Sequence, residues 1–248
     1  MTILCIETST SVCSAAICKD GVPAEQCICR EGSNHARLLP RYIQSLLLFA
    51  KQNGLTIDAV ALSEGPGSYT GLRIGTATAK GLCYGLNVPL IPVPTLEALC
   101  EAAKYKIKNH KSEVINSFLC PMIDARRMEV YTALYDAEAI GDKQEAKAVI
   151  VETEDSLYSV SEQSERSVLC QAKPVYYFGD GAAKCQNVLT QPDWHYLPDI
   201  VPEAQYMGTL AERLIANSQS LTANEIAYYE PYYLKEFVAA PSHVKGLS

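Results

Sequence analysis

Short apolar runs broken by polar turns fill the first hundred residues. Residues 2–6 predict a strand, Glu7-Thr8-Ser9-Thr10-Ser11 a polar hairpin connection, and Val12 to Cys18 a second strand. Lys19-Asp20-Gly21 reads as a turn before a third strand from Ala24 to Arg30, because Asp-Gly between strand-like runs is a strong hairpin signal. Ser33 or Asn34 then caps a helix to Gln52, and Asn53-Gly54 ends it with residues that tolerate left-handed dihedrals. A buried strand at 57–62, a glycine-bearing helix at 70–86, a strand at 89–93 and a helix from Pro94-Thr95 follow. The order βββαβαβα implies a mixed sheet with helices laid on it.

The second half echoes this more weakly. Phe118 to Ile123 and Glu129 to Tyr135 predict paired strands around Asp124-Ala125-Arg126-Arg127, and 136–147 a polar loop or surface hairpin. A strand near 147–152, a polar helix near 153–164, a strand at Val175–Phe178, a turn at Gly179-Asp180-Gly181, a helix at 182–189 and a last helix at 203–216 complete it. The chain thus divides into an N-terminal α/β lobe, 1–104, a C-terminal α/β lobe, 105–225, and an aromatic-rich tail, 226–248, expected to dock on the body. The two lobes would flank a cleft.

Ser63 to Lys80, SEGPGSYTGLRIGTATAK, is the most informative stretch. Ser68 or Thr70 can cap the helix. Gly75 and Gly81 are interior to it, and each costs about 1 kcal/mol relative to alanine. Small side chains on a helix ridge let another backbone come close, and the packing offsets that cost. If Gly75 faces outward, Gly75→Leu should abolish association and leave folding cooperative.

The chain has 248 residues, 48% of them hydrophobic, and a net charge of -7, so one large or two moderate globular units fit. That charge disfavours lone nucleic-acid binding, and Lys104, Lys106, Lys108 and Lys111 read as a solvated face. No basic n-region precedes the first strand and no run reaches the roughly 20 apolar residues of a membrane span, which points to a cytoplasmic protein without a membrane partner. Ten cysteines include no C-x-x-C pair. Most lie in apolar runs and read as small hydrophobes, and Cys27 and Cys29 share one face of a strand.

Candidate chemistry is sparse. Gly65, Gly67 and Ser68 stand at a helix N-terminus, where backbone N–H groups and the dipole suit an anion, with Arg73 one turn inside. The segment lacks the G-x-x-x-x-G-K-[ST] pattern, so a purely structural use of the glycines is favoured. Glu7, Thr8, Ser9 and Thr10 could hold a phosphate or Mg²⁺, Glu7 directing the metal, but no glycine opens that hairpin, and a polar turn is favoured. His35 has Leu39 four residues on, where a second ligand on the same helix face would stand. No Ser/His/Asp set assembles around Ser68 or Thr70, since G-x-S-x-G does not occur. The helix at 34–52 carries Leu38, Leu39, Tyr42, Ile43, Leu46, Leu47 and Phe49, a stripe wider than one core-facing side needs, beside the small-residue helix at 70–86. These surplus faces suit a subunit contact, or burial within the monomer.

These residues together resemble the TsaB family of bacterial tRNA threonylcarbamoyladenosine biosynthesis, relatives of the TsaD/glycoprotease proteins. The likeness covers nearly the whole chain. Leu4 to Thr10, His35 to Pro40, Asp124 to Tyr131 and Gly179 to Ala182 carry it, and Gly65 to Gly75 above all. Glu7 stands where the family often has Asp. The resemblance implies two related lobes of actin-like/Hsp70-type ATPase, ribonuclease H-like fold, with mixed sheets flanked by helices. It implies a non-catalytic scaffold or activating subunit with no catalytic residue, metal or cofactor of its own. The partners implied are a TsaD-like transferase, which adds a threonylcarbamoyl group to the adenosine beside the anticodon, and a TsaE-like ATPase; tRNA is met only through the complex. The contact would run through His35, Leu38, Leu39, Tyr42, Ile43 and Leu46 on one helix and Gly71, Arg73, Ile74, Gly75 and Thr78 on the next, and a homodimer would use the same surface. The catalytic relative's His-x-x-x-His has Leu39 at its second position here. The competing expectation is an independent ATP-dependent enzyme or glycoprotease-like peptidase of the same fold.

Overall fold

The computed structural model describes residues 1–32, 34–108, 116–138, 146–151 and 173–235. Ser33 and the helix expected at 153–164 lie outside the described residues. The first sheet has the order β3-β2-β1-β4-β5, built from β1 (Thr2–Glu7), β2 (Cys13–Lys19), β3 (Val22–Cys29), β4 (Ala59–Gly65) and β5 (Leu90–Pro94). β1, β2 and β3 form an antiparallel meander, whereas β4 and β5 run parallel to β1. The turn between β2 and β3 takes left-handed φ values of 50° at Asp20 and 74° at Gly21, the conformation that Asp-Gly supplies cheaply.

The second sheet repeats this topology. It contains β6 (Phe118–Asp124), β7 (Glu129–Thr132), β8 (Tyr135–Asp136), β9 (Lys147–Ile150), β10 (Val175–Phe178) and β11 (Trp194–Leu197), in the order β11-β10-β6-β7-β9 with β8 paired to β6. β6, β7 and β9 are antiparallel neighbours, and β10 and β11 run parallel to β6. Matched strand for strand, β6 takes the place of β1, and β10 and β11 take the places of β4 and β5. Two mixed sheets of one topology, flanked by helices, make up the fold. The strand expected at 129–135 is broken between Thr132 and Tyr135, and β11, absent from the sequence reading, closes one edge.

Helices α1 (His35–Gln52) and α2 (Tyr69–Leu86) cover one face of the first sheet, where Leu39, Ile43, Leu46, Ala79 and Cys83 pack on Leu4, Ile6, Ile17, Val60 and Leu62. The opposite face is closed from far along the chain. Helix α4 (Gly208–Ala216) and the 3-10 turn Ala204–Met207 before it bring Met207, Leu210 and Ala211 onto Ile3, Cys5, Ala16, Ala61 and Ile91. Gly208 permits this approach, since a Cβ there would lie 2.7 Å from the Cβ of Cys18.

Helix α3 (Thr95–Lys108) follows the first lobe in sequence but buries Leu96, Leu99, Cys100 and Ala103 against Leu119, Ile123, Tyr135 and Phe178 of the second sheet. Only Ala98 of α3 joins the first sheet's core. The lobes therefore exchange helices. The helix expected at 182–189 is a 3-10 turn at Ala183–Cys185, and α5 (Ala223–Tyr228) straddles the boundary expected between the C-terminal lobe, 105–225, and the tail, 226–248. The described cysteines are all free thiols. Among the described residues, no helix is long and apolar enough to cross a membrane.

Candidate functional site

The first hairpin, the Gly65-Pro66-Gly67 turn and the start of α2 meet at the C-terminal ends of β1 and β4. Glu7, Thr8 and Ser9 are fully buried, which few polar connections are. Internal bonds account for most of their polar atoms. The Ser9 N–H donates to Glu7 Oε1 at 2.6 Å, the Val12 N–H to Thr10 Oγ1 at 3.2 Å, and the Thr8 hydroxyl to the Gly71 carbonyl at 2.9 Å. His35 Nε2 lies 2.8 Å from the Thr10 carbonyl; a carbonyl only accepts, so that nitrogen carries the proton.

The glycines are seats for the protein's own backbone. A Cβ on Gly67 would overlap the Ser9 carbonyl, one on Gly71 the Thr8 carbonyl, and one on Gly75 the Thr8 hydroxyl. Gly65, at φ 117°, would strike the Tyr232 carbonyl. The helix N-terminus is similarly occupied. The Ser68 N–H donates to the Ser9 carbonyl at 2.6 Å, and Ser68 Oγ caps α2 by accepting from the Gly71 N–H at 3.3 Å. Of the N–H groups an anion would need at Gly65, Gly67 and Ser68, that of Ser68 thus serves the hairpin and that of Gly65 donates to Thr95 Oγ1 at 3.0 Å.

The second lobe repeats the arrangement. Gly179 has φ 112°, matching Gly65. A Cβ on Gly181, the counterpart of Gly67, would lie 2.9 Å from the Asp124 nitrogen. Asp180 accepts from the Asp124 N–H at 3.0 Å, and Lys184 donates to Asp124 and, at 2.7 Å, to the Glu129 carbonyl.

One acid stands in each of these turns, Glu7 in the first and Asp180 in the second. Burial pushes the Glu7 carboxyl up from its usual range; the Ser9 N–H pulls it partly back, and the charge of Asp180 raises it further. Burial also raises Asp180, with Asp124 adding like charge and Lys184 opposing it. Glu7 Oε2 and Ser9 Oγ are buried and make no hydrogen bond. Among the described residues, no group of three His, Cys, Asp or Glu side chains is placed to hold a metal ion.

The contact residues expected on α1 and α2 separate by burial. His35, Leu39, Ile43, Leu46, Gly71 and Gly75 are buried within the protomer and unavailable to a partner surface. That corrects the outward placement of Gly75: the residue faces Thr8 and Leu62. Leu38, Tyr42, Ile74 and Thr78 are half-buried and Arg73 is exposed. The outward ridge of α2 instead carries Ala77, Gly81, Tyr84 and Gly85 (open space surrounds both glycines), and Tyr84 is 92% exposed. Sequence reasoning missed Asp180 and Tyr232. For Asp180 the signal was present, a second Gly-x-Gly directly after a strand.

The family model of TsaD, tRNA N6-adenosine threonylcarbamoyltransferase, matches residues 30–242. The chain is 29% identical to the tRNA threonylcarbamoyladenosine biosynthesis protein TsaB of Haemophilus influenzae, over 96% of this chain and 95% of that one. It is 39% identical to TsaB of Escherichia coli over 60% and 62% of the two chains. TsaB of Buchnera aphidicola subsp. Acyrthosiphon pisum is 32% identical over 66% of this chain and 75% of its own. The solved structure of YeaZ from Pseudomonas aeruginosa superposes with a TM-score of 0.72 at 24% identity, over 94% of this chain and 99% of that one, and shows the same fold. The chain therefore belongs to the TsaD family of tRNA N6-adenosine threonylcarbamoyltransferase proteins, and within it to the TsaB proteins of tRNA threonylcarbamoyladenosine biosynthesis.

Proposed function

We propose that the chain is a non-catalytic scaffold and activating subunit of the complex that adds a threonylcarbamoyl group to the adenosine beside the anticodon. Its partners are a TsaD-like transferase and a TsaE-like ATPase, and tRNA is met through the complex, in the cytoplasm. The observation that carries this reading is the state of the helix pair at α1. His35 donates to the Thr10 carbonyl, and Leu39, one turn on, lies in the apolar core. His35 keeps its Nδ1 lone pair, but Leu39 offers no donor, so the i and i+4 pair that would hold a metal is incomplete here. The glycines of the second motif are filled by the hairpin, which also favours a structural use of the turn.

The contact surface we infer is the outward side of α1 and α2. Leu48, 55% exposed, Arg73, Ala77, Gly81 and Tyr84 lie there, with Leu38, Tyr42, Ile74 and Thr78 half-buried at its edge. A ridge of small residues admits a second backbone, and an exposed tyrosine beside it supplies a large contact area. In the absence of the transferase, a homodimer would use this same side.

Co-purification with a TsaD-like transferase, joined to titration calorimetry with ATP and Mg²⁺, tests the reading. A stable complex and no turnover by the isolated chain are expected. Micromolar nucleotide binding with turnover would favour the second reading, an independent ATP-dependent enzyme or glycoprotease-like peptidase. The observation on that side is the pair of buried, unbonded oxygens, Glu7 Oε2 and Ser9 Oγ.

A further inference from the structure

The stretch after α5 crosses from one lobe to the other. Tyr229 packs against the core of the first sheet and buries its hydroxyl. The Tyr232 N–H then donates to the Glu64 carbonyl at 2.7 Å, which adds a backbone bond beside the end of β4. The Tyr232 carbonyl fills the space that Gly65 leaves by lacking a Cβ. Tyr233 stacks at 5.0 Å on Tyr69, the first residue of α2. Two residues later the chain is on the second lobe. Lys235 pairs with Glu129 at the start of β7, and its Nζ lies 6.0 Å from the ring centre of Tyr131.

One anchor point lies on each lobe, at Glu64 to Tyr69 on the first and at Glu129 to Tyr131 on the second. Glu7 of the first lobe is buried, and the charge of Asp180, exposed at the turn of the second, reaches it. The helix exchanged between lobes, α3, runs from one to the other and can serve as a pivot. A second tie in addition to a pivot sets an angle.

We propose that Tyr229–Lys235 is a brace that fixes the angle between the lobes, seated on the first lobe by the Gly65 notch and on the second by the Lys235–Glu129 pair. The brace holds the hairpin at Glu7 and the turn at Asp180 in one relative position. Release of either end loosens both lobes' facing loops.

The test uses two full-length variants, each altering one end. Lys235→Glu reverses the charge of an exposed side chain and leaves both cores untouched. Tyr233→Ala removes the aromatic contact with Tyr69. Hydrogen exchange is followed at residues 63–69 and 124–131, and the radius of gyration by small-angle scattering. The expected result is about tenfold faster exchange at both stretches in each variant, with protection of β1 and β6 unchanged, and a larger radius of gyration. Acceleration confined to the altered end, or no change at either stretch, would overturn the brace.

Discussion

The Thr8 hydroxyl donates to the Gly71 carbonyl at 2.9 Å, and the Thr8 carbonyl lies where a side chain on Gly71 would begin. One residue of the first hairpin is thus clasped by one turn of α2. The clasp explains why the helix tolerates Gly75, which weakens it by about 1 kcal/mol relative to alanine. Packing against β1 and β4 offsets that cost. The expected effect of Gly75→Leu follows from the inward geometry. It should lower the urea midpoint through overpacking of about 1–3 kcal/mol or more, and any loss of association should track loss of fold. A variant with an unchanged midpoint would contradict the clasp.

Gly81 supplies the matching probe of the surface. With nothing within 4 Å of its missing Cβ, Gly81→Ala should stabilise α2 by about 1 kcal/mol. Gly81→Leu should keep the cooperative unfolding transition and weaken association with a TsaD-like transferase. Size-exclusion chromatography of the mixed proteins reads this directly. An undiminished complex would move the contact off the α2 ridge.

Glu203 is 2% exposed and gathers four donors: Arg30 through Nε at 3.3 Å and Nη2 at 2.8 Å, Gln26 at 3.3 Å and Gln205 at 2.8 Å. Arg30→Ala removes the only cation of the set and leaves a buried carboxylate with neutral partners. The expected loss is about 1–3 kcal/mol by denaturant titration. Restoring neutrality with Glu203→Gln in that background should recover part of it.

Glu7 and Asp180 give the chain a pH dependence of definite sign. Both carboxyls are raised in the fold, so the folded state binds more protons than the unfolded state once pH exceeds the unfolded values, about 4 for such acids. Their contribution is complete below that point and is lost as pH rises through the raised folded values. Glu7→Gln removes one proton from this balance. The variant's melting temperature should gain on the parent's as pH rises from about 4, and the two should converge below it. A constant difference across the range would show that Glu7 ionises alike in both states.

Several elements were readable because one local rule settled each. Asp20-Gly21 demanded a left-handed turn, and of the two caps the sequence offered, Ser68 and Thr70, Ser68 caps the glycine-bearing helix. The βββαβα order of the first lobe emerged from apolar runs of the right length. What failed depended on distance along the chain. Periodicity put Gly71 and Gly75 on one face of α2 and Gly81 and Gly85 on another, but only the folded hairpin reveals that the first pair faces Thr8. β11 is four residues, Trp194 to Leu197, too short for alternation to register. Thr222 and Glu225 form a capping box that announces α5, and the aromatic content after it obscured the signal. The approach of Asp180 to Glu7 joins residues from separate sheets, which no local pattern encodes.

The exchange of helices between lobes bears on how the chain is made. On the ribosome, the strands of the first sheet emerge early, yet one of their faces stays bare until Met207, Leu210 and Ala211 have been synthesised. The apolar side of α3 waits likewise for β6 and β10. Neither half is a finished product when its own stretch of message has been read, so a nascent chain halted midway would expose sticky surface, and maturation becomes a single late event for the whole molecule.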